Sequence, residues 1–164
     1  MKKKEQERIF NDWMEKFKPV IFKIVRVYAK KSNNEDDLFQ EIILQIWKSI
    51  RNFKRQSSTH TWIYRVALNT ALKWSIKIEK NKHEVISEEG QVLSKGNEID
   101  PMLEWLYDEI SLLDPIDQSL TLLLLDGFSY KEMAEIIGIT ASNVGVKINR
   151  IKKKLKERAQ IVER

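Results

Sequence analysis

The chain has 164 residues and a net charge of +5, a length that fits one domain or two small ones. It contains no Cys and two His, so disulfides, thiolate metal sites and a His-rich metal centre are excluded. With five Gly and three Pro, no apolar run near the roughly 18 residues of a membrane span and no signal peptide, we expect a soluble, cytoplasmic, helical protein.

Apolar residues recur at helical spacing throughout the first 80 residues. A polar turn at residues 32–34 and a polar break at residues 53–58 separate the predicted helices. These helices cover residues 6–17, Pro19 to about Lys31, 35–51, and Ser58 or Thr59 to about Lys80.

Residues 81–99 lose this period and mix Gly, Ser and charged residues, which is typical of a flexible linker. After it, two Asp-Pro pairs have the form of an N-cap followed by Pro at the first helical position. They predict helices over about 101–112 and 115–126, and Gly127 ends the second one.

The predicted fold is therefore all-α, with two small helical domains, 1–80 and 100–164, joined by the linker. Charge divides the chain differently, because the acidic block covers the linker and the first two helices of the second domain. Residues 1–82 contain 19 basic and 9 acidic side chains, residues 83–126 contain 1 and 11, and residues 127–164 contain 9 and 4. Two basic blocks that flank an acidic one favour anionic partners for the ends, whereas either block alone would be explained by a solvated face.

Residues 129–158 carry the pattern of a helix-turn-helix. Ser129 and Glu132 have the spacing of a capping box, and Gly138 permits a tight turn between the two helices. Ala134 lets the helices approach, and Val144 fills the space between them. The other predicted core residues are Met133, Ile137, Ile139, Ile148 and Ile151.

The exposed face of the second helix of this pair is predicted to enter a DNA major groove. Arg150 and the two Asn are candidates for base edges, and the lysines for phosphates. A solvated basic tail on an ordinary helix pair is the simpler alternative. The predicted DNA-contacting residues are Ser142, Asn143, Val146, Lys147, Asn149, Arg150, Lys153 and Lys154, with Lys152 and Lys156 as further phosphate candidates.

Three segments resemble a known family. Residues 36–47 (DDLFQEIILQIW) resemble the polymerase-binding helix of bacterial sigma factors, and residues 53–69 resemble their promoter-melting loop and the helix after it. Residues 113–140 resemble the second conserved domain of that family. Two domains with no third between them match the extracytoplasmic-function (ECF, group 4) type of the sigma-70 family.

The resemblance implies a non-enzymatic protein that binds core RNA polymerase through its β′ clamp and β subunit. It would direct the polymerase to promoters, recognise their −35 and −10 elements and help to melt the DNA. Residues 1–80 would be sigma domain 2, a helical bundle, and residues 100–164 would be sigma domain 4, the helix-turn-helix. An anti-sigma factor is an expected partner, and we expect no cofactor, metal or membrane insertion.

The same resemblance implies site residues. Acidic, amide and apolar side chains of helix 35–51 would contact polymerase, although Leu44 and Trp47 also fit a core role. The polymerase-binding residues are Asp37, Gln40, Glu41, Leu44 and Trp47. Small, polar and basic groups would hold an extruded base and phosphates at the −10 element. These are Arg55, Ser57, Ser58, Thr59, His60, Arg65, Asn69 and Lys73.

Gly145 and Val146 stand where many family members carry a basic residue and a Ser, and Gly145 is interpreted as permitting a close approach to the DNA backbone. Two other functions compete with the sigma factor. One is a conventional helix-turn-helix regulator with an N-terminal sensor or dimerisation domain. The other is a helical nuclease, for which Asp36, Asp37 and Glu41 would need further carboxylates to bind metal.

Overall fold

A computed structural model describes residues 1–30, 32–81 and 100–162. The chain divides into two compact units, Met1–Asp100 and Pro101–Arg164. The first contains α1 (Lys3–Ala29), α2 (Glu35–Ser49), a 3-10 turn (Ile50–Asn52) and α3 (Thr59–Lys80). The second contains α4 (Pro101–Ser111), α5 (Pro115–Leu125), α6 (Tyr130–Ile137) and α7 (Ala141–Val162). The predicted all-α fold with two helical domains is confirmed, and the predicted linker lies, from residue 82 to residue 99, outside the described residues.

The first unit is a three-helix bundle in which α1, α2 and α3 all pack against one another. Each helix has apolar residues three or four positions apart, and these form one buried stripe. The fully buried side chains include Ile21, Ile24, Leu38, Ile42, Ile46, Ile63, Tyr64 and Leu68. The remaining faces of the helices stay available for contacts with other molecules.

Pro19 does not begin a new helix, so the predicted break between residues 17 and 19 is wrong. Pro19 lies inside α1 and on its exposed side, where the carbonyl that loses its intrahelical donor can be hydrated. Trp13 before it and Val20 after it are both buried. Packing on both sides of Pro19 therefore offsets the penalty of about 3 kcal/mol for Pro inside a helix.

Side-chain caps set three of the helix starts that the sequence predicts, whereas Asn34 before α2 makes no cap hydrogen bond. Ser58 accepts a hydrogen bond from the Thr61 backbone N–H at 3.1 Å and so is the N-cap of α3, which settles the choice between Ser58 and Thr59. Asp114 caps α5 and Ser129 caps α6, as expected. Thr140, which was not predicted as a cap, accepts a hydrogen bond from the backbone N–H of Asn143 at 3.1 Å, in the first turn of α7.

The second unit contains the predicted helix-turn-helix, formed by α6, a turn at residues 138–140 and α7. Gly138 has a φ of 85°, the left-handed conformation that the tight turn requires. Met133, Val144, Ile148 and Ile151 are buried as expected. Ile137 and Ile139 are only half-buried, and Ile136 takes the core position instead, since it lies on the same face of α6 as Met133.

Candidate functional site

One face of α2 remains exposed in the three-helix bundle. Asp37, Gln40 and Leu44 lie on it at spacings of three and four residues, away from the buried stripe of the same helix. Leu44 is 44% exposed, so it adds apolar area to this face. Glu41 beside it is half-buried, and its carboxylate accepts a hydrogen bond from Gln45 Nε2 at 3.1 Å.

Trp47, at the end of the same helix, is half-buried and packs on α1. Its ring meets Phe10 edge to face, with 5.4 Å between the ring centroids. Its carbonyl accepts a hydrogen bond from Gln6 Nε2 at 2.9 Å, and Gln6 Oε1 accepts one from Arg51 Nε at 3.0 Å. Sequence reasoning missed Gln6. Its position seven residues before buried Trp13, on the same face of α1, is the signal that could have found it.

A groove of about 550 Å3 runs between α2 and α3, and we call it the α2–α3 groove. Asp37, Glu41 and Lys48 of α2 line it together with basic and amide side chains of α3, among them Asn69, Lys73 and Lys77. It therefore brings two predicted polymerase-binding residues and two predicted −10 residues to one place.

Two tryptophans of α3 form hydrogen bonds to α2 across this groove. Trp74 Nε1 of α3 donates a hydrogen bond to Asp37 Oδ2 of α2 at 2.9 Å. Trp62 Nε1 donates one to Ser49 Oγ at 3.2 Å, and its ring packs on Phe53. Trp74 was not predicted from the sequence as a partner of Asp37, because its place in the helical period indicates only that it is buried.

The loop before α3 and the first turns of that helix hold the other predicted −10 residues, and none of them lines the groove. Arg55 is exposed, with its backbone in the left-handed conformation at a φ of 56°. Ser58 is exposed but its hydroxyl serves as the helix cap, whereas Ser57, Thr59 and Arg65 are half-buried. His60 stacks on Phe17, with 5.8 Å between the ring centroids, and is half-buried.

The predicted DNA-contacting residues of α7 share one face of that helix. They recur at positions three and four apart, opposite the buried Val144, Ile148 and Ile151. Lys147 is half-buried, and the others are exposed: Ser142, Asn143, Val146, Asn149, Arg150, Lys153 and Lys154. The Val146 side chain is 63% exposed and so has no role in the core.

Beneath this face lies a carboxylate that the sequence did not point to. Asp117 of α5 is 10% exposed at its side chain, and its Oδ2 lies 3.8 Å from Arg150 Nη2. Its Oδ1 is buried and accepts no hydrogen bond from any described residue. Burial, and then the neighbouring Asp114 carboxylate, raise the pKa of Asp117, while Lys147 and Arg150 act to lower it.

Gly145 differs from the sequence interpretation. A Cβ placed there would point toward Tyr130 of α6, with 3.6 Å to the nearest ring atom. The missing side chain therefore leaves room beside Tyr130, inside the second unit, rather than on the exposed face of α7. Nothing in this contact favours the predicted close approach of Gly145 to a DNA backbone.

Across the described ranges, no three His, Asp or Glu side chains gather in a way that could hold a metal ion. Within the same ranges, no helix is long and apolar enough to cross a membrane.

A helix-turn-helix with a basic exposed face is typical of a DNA-binding protein. Comparison with known proteins agrees. The model of sigma-70 region 2 matches residues 13–77, and that of sigma-70 region 4 matches residues 103–155.

The relatives point to the same family. The chain is 23% identical to the ECF RNA polymerase sigma-E factor of Haemophilus influenzae, over 94% of this chain and 89% of the relative. It is 24% identical to the factor of the same name in Escherichia coli strain K12, over 96% and 90%.

Two solved structures share the fold. One is the sigma factor RpoE in complex with the anti-sigma factor NepR from Bartonella quintana, with a TM-score of 0.69, 17% identity, and coverage of 94% of this chain and 98% of that chain. The other is CnrH in complex with the cytosolic domain of CnrY, with a TM-score of 0.65, 16% identity, and coverage of 94% and 90%.

The chain belongs to the sigma-70 family of RNA polymerase sigma factors and, within it, to the ECF type. Its function is to direct RNA polymerase to promoters, as a regulatory subunit and not as an enzyme. The conventional helix-turn-helix regulator and the nuclease are not favoured, since neither class accounts for the match to region 2.

Proposed function

We propose that this sigma factor divides its work among three surfaces. The exposed face of α2 binds the β′ clamp of core polymerase. The loop 53–58, with α3, binds and helps to open the −10 element, and the exposed face of α7 binds the −35 element. Residues 1–80 thus act as sigma domain 2 and residues 100–164 as sigma domain 4. The observation that carries the proposal is the separation of an acidic and apolar face on α2 from basic and amide faces on α3 and α7.

The α2 face has the composition of a protein-binding surface for a basic partner. Asp37, Gln40 and Glu41 supply charge and hydrogen-bond acceptors, and Leu44, one turn further along α2, supplies exposed apolar area. A central apolar anchor with polar neighbours is a common source of binding energy. Trp47 supports this face by packing on α1, and the exposed part of its ring extends the apolar contact.

The −10 surface combines two kinds of contact. Asn69 and Lys73 are exposed on α3 at the α2–α3 groove, where an amide can reach a base edge and an ammonium a phosphate. The remaining residues lie in the loop and the first turns of α3, beside the aromatic rings around His60. These residues are Arg55, Ser57, Ser58, Thr59, His60 and Arg65. We propose that they hold the separated strand after opening.

The −35 surface follows the geometry of a recognition helix in the major groove. Ser142, Asn143 and Val146 lie near the N-terminal end of α7, Asn149 and Arg150 one turn further, and Lys147, Lys153 and Lys154 on the flanks. Arg150 and the two Asn, whose side chains can form two parallel hydrogen bonds, are candidates for base edges, and the lysines are candidates for phosphates.

Two further partners follow from the family. One of the solved structures above holds a sigma factor with an anti-sigma factor, and the other holds CnrH with the cytosolic domain of CnrY. We propose that an anti-sigma factor also binds this protein. The β subunit of polymerase is proposed to contact the second unit. Because polymerase and promoter DNA are its targets, we place the protein in the cytoplasm, and its activity needs no cofactor.

The experiment is in-vitro transcription with core polymerase of the source organism, the full-length chain and fragmented genomic DNA. Promoter-specific transcripts should appear only when the chain is added. Leu44→Ala should weaken core binding about tenfold. Ile76→Ala is the matched control, because Ile76 is 55% exposed on α3 of the same unit and does not line the groove. If Leu44→Ala and Asp37→Ala both bind core as wild type does, the proposed polymerase surface is wrong.

The −10 assignment has its own test. Asn69→Ala should reduce permanganate reactivity of opened thymines in the transcribed promoter while leaving core binding unchanged. Lys73→Gln should weaken opening more than Lys4→Gln, which removes the same charge from the exposed start of α1. Equal effects of the two Lys variants would mean that Lys73 acts only through net charge.

A further inference from the structure

We propose that Asp117 of α5 is a positioning residue, which holds the Arg150 guanidinium in the orientation that reads one base pair of the −35 element. The proposal rests on the proposed function of the α7 face. Asp117 does not contact DNA itself in this arrangement. It acts through Arg150, and its effect is on how sharply that base pair is discriminated.

The geometry joins a buried anchor to an exposed reader. The Asp117 side chain is 10% exposed and the Arg150 side chain 62%, with 3.8 Å between Oδ2 and Nη2. Asp117 itself is fixed by its place in the first turn of α5. Its backbone N–H donates to Asp114 Oδ1 at 3.0 Å, and its carbonyl accepts from Thr121 Oγ1 at 2.7 Å. One end of the pair is therefore rigid and the other reaches the DNA-facing surface.

Asp117 lies in the first turn of α5, where an acidic side chain interacts favourably with the helix dipole, but an exposed carboxylate would do the same, so this does not explain its burial. The cap of α5 is supplied by Asp114, and Asp117 Oδ1 is buried without a hydrogen-bond donor from the described residues. Burial raises the pKa of Asp117 despite the opposing effect of Lys147 and Arg150, so folding disfavours the charged form. A carboxylate kept at such a position is explained by what it does to the cations of α7.

Orientation matters because Arg reads guanine with two parallel hydrogen bonds, and a free Arg side chain must lose rotamer entropy to make them. Asp117 contacts one Nη group and leaves the other donors of the fork available. The buried negative charge also repels nearby phosphates. Asp117 should thus favour specific binding and disfavour non-specific binding, which are effects of opposite sign.

The test uses holoenzyme made with the full-length chain and a promoter recovered from the genomic transcription experiment, with every single base-pair substitution in its upstream element. Arg150→Ala should abolish discrimination at one base pair, a loss of about 5- to 150-fold. Asp117→Asn should reduce discrimination at that same pair by about 3- to 10-fold and raise affinity for unrelated duplex about 2- to 3-fold. In the double variant, Asp117→Asn should cause no further loss of discrimination beyond that of Arg150→Ala.

The matched control is Glu109→Gln. The Glu109 side chain of α4 is 13% exposed and its Oε2 accepts a hydrogen bond from Arg158 Nε of α7 at 3.1 Å, so the two form a second buried-carboxylate–arginine pair, outside the proposed DNA face. Glu109→Gln should leave discrimination unchanged. Asp117→Glu keeps the charge and moves the carboxylate, so it should lower discrimination without raising non-specific affinity. It also provides a test of the proposal if Asp117→Asn does not fold.

The outcomes separate the two proposals. If Arg150→Ala lowers discrimination at one pair but Asp117→Asn and Asp117→Glu do not, the positioning role is wrong and the α7 surface stands. If Asp117→Asn raises discrimination, Asp117 sequesters Arg150 from DNA and the inference is overturned. If Arg150→Ala changes discrimination nowhere, the proposed role of Arg150 fails and this inference fails with it. A loss of both specific and non-specific binding in Asp117→Glu would indicate a structural role only.

Discussion

The geometry at Gly145 of α7 predicts whether a substitution by Ala stabilises or destabilises the second unit. An added Cβ would lie 3.6 Å from Cε2 and 3.7 Å from Cδ2 of the Tyr130 ring, which is ordinary van der Waals contact. The residue lies in the interior of α7, and its φ is not positive. Since Gly is about 1 kcal/mol less favourable than Ala inside a helix, Gly145→Ala should stabilise the second unit by about 1 kcal/mol.

Gly138 offers the same substitution with the opposite expectation. Nothing lies within 4 Å of a Cβ built there, so space is not the obstacle. Its φ of 85°, however, is a left-handed conformation that raises the energy of an L residue by about 1–2 kcal/mol. Gly138→Ala should therefore destabilise the second unit, and the two variants should differ by about 2–3 kcal/mol.

Hydrogen exchange, followed by mass spectrometry of peptides from α6 and α7, reads the second unit apart from the first. A gain of about 1 kcal/mol slows exchange of the most protected amides about fivefold in Gly145→Ala, and Gly138→Ala speeds it. Promoter affinity of the holoenzyme should not change in Gly145→Ala, because the new methyl group faces Tyr130. Faster exchange in Gly145→Ala would refute the predicted gain in stability. Weaker promoter binding with the fold intact would indicate that Gly145 lies against the DNA backbone after all.

Three further substitutions test single contacts. Trp74→Phe keeps a ring in the core but removes the donor to Asp37, so core polymerase binding, followed by fluorescence anisotropy, should weaken about threefold; an unchanged Kd would mean that Asp37 needs no such support. The pKa of Asp117 is raised in the folded protein above its ordinary value of 3.8. The folded state therefore loses stability relative to the unfolded state as pH rises from about 3.8 through the raised pKa. The thermal stability of Asp117→Asn relative to wild type should thus be greater at pH 7 than at pH 3, and equal differences at the two pH values would contradict this. Val146→Ser should lose the preference for thymine over deoxyuridine at one upstream position, since the thymine methyl is the apolar group of the major groove; persistence of the preference would exclude Val146 as its reader.

Much of the fold could be predicted from local chemistry. The Asp-Pro starts of α4 and α5, the caps at Ser58 and Ser129 and the left-handed turn at Gly138 all depend on residues within a few positions of one another. Local rules could not predict the continuation of α1 through Pro19. That depends on the buried Trp13 and Val20, whose partners are distant in sequence.

The candidate site divides in the same way. The exposed faces of α2 and α7 could be predicted, because helical spacing assigns each residue to the buried or the exposed side. The distribution of the −10 residues could not. Asn69 and Lys73 line the α2–α3 groove while Arg55 and His60 do not, and this depends on how the loop 53–58 packs on α1 and α3 rather than on spacing.

The residues that sequence reasoning missed have a common character. Gln6, Trp74 and Asp117 are buried, carry a polar atom, and each contacts a helix with a proposed binding face through that atom. A helical period records which side of a helix is buried, but not which buried polar atom meets a partner elsewhere in the chain. Such contacts hold the exposed side chains of α2 and α7 in place before a partner arrives, which lowers the entropy lost on binding. Substitutions at these three positions should therefore weaken binding although every exposed residue of the two faces is kept, so they test how the faces are supported, whereas Leu44→Ala and Arg150→Ala test the faces themselves.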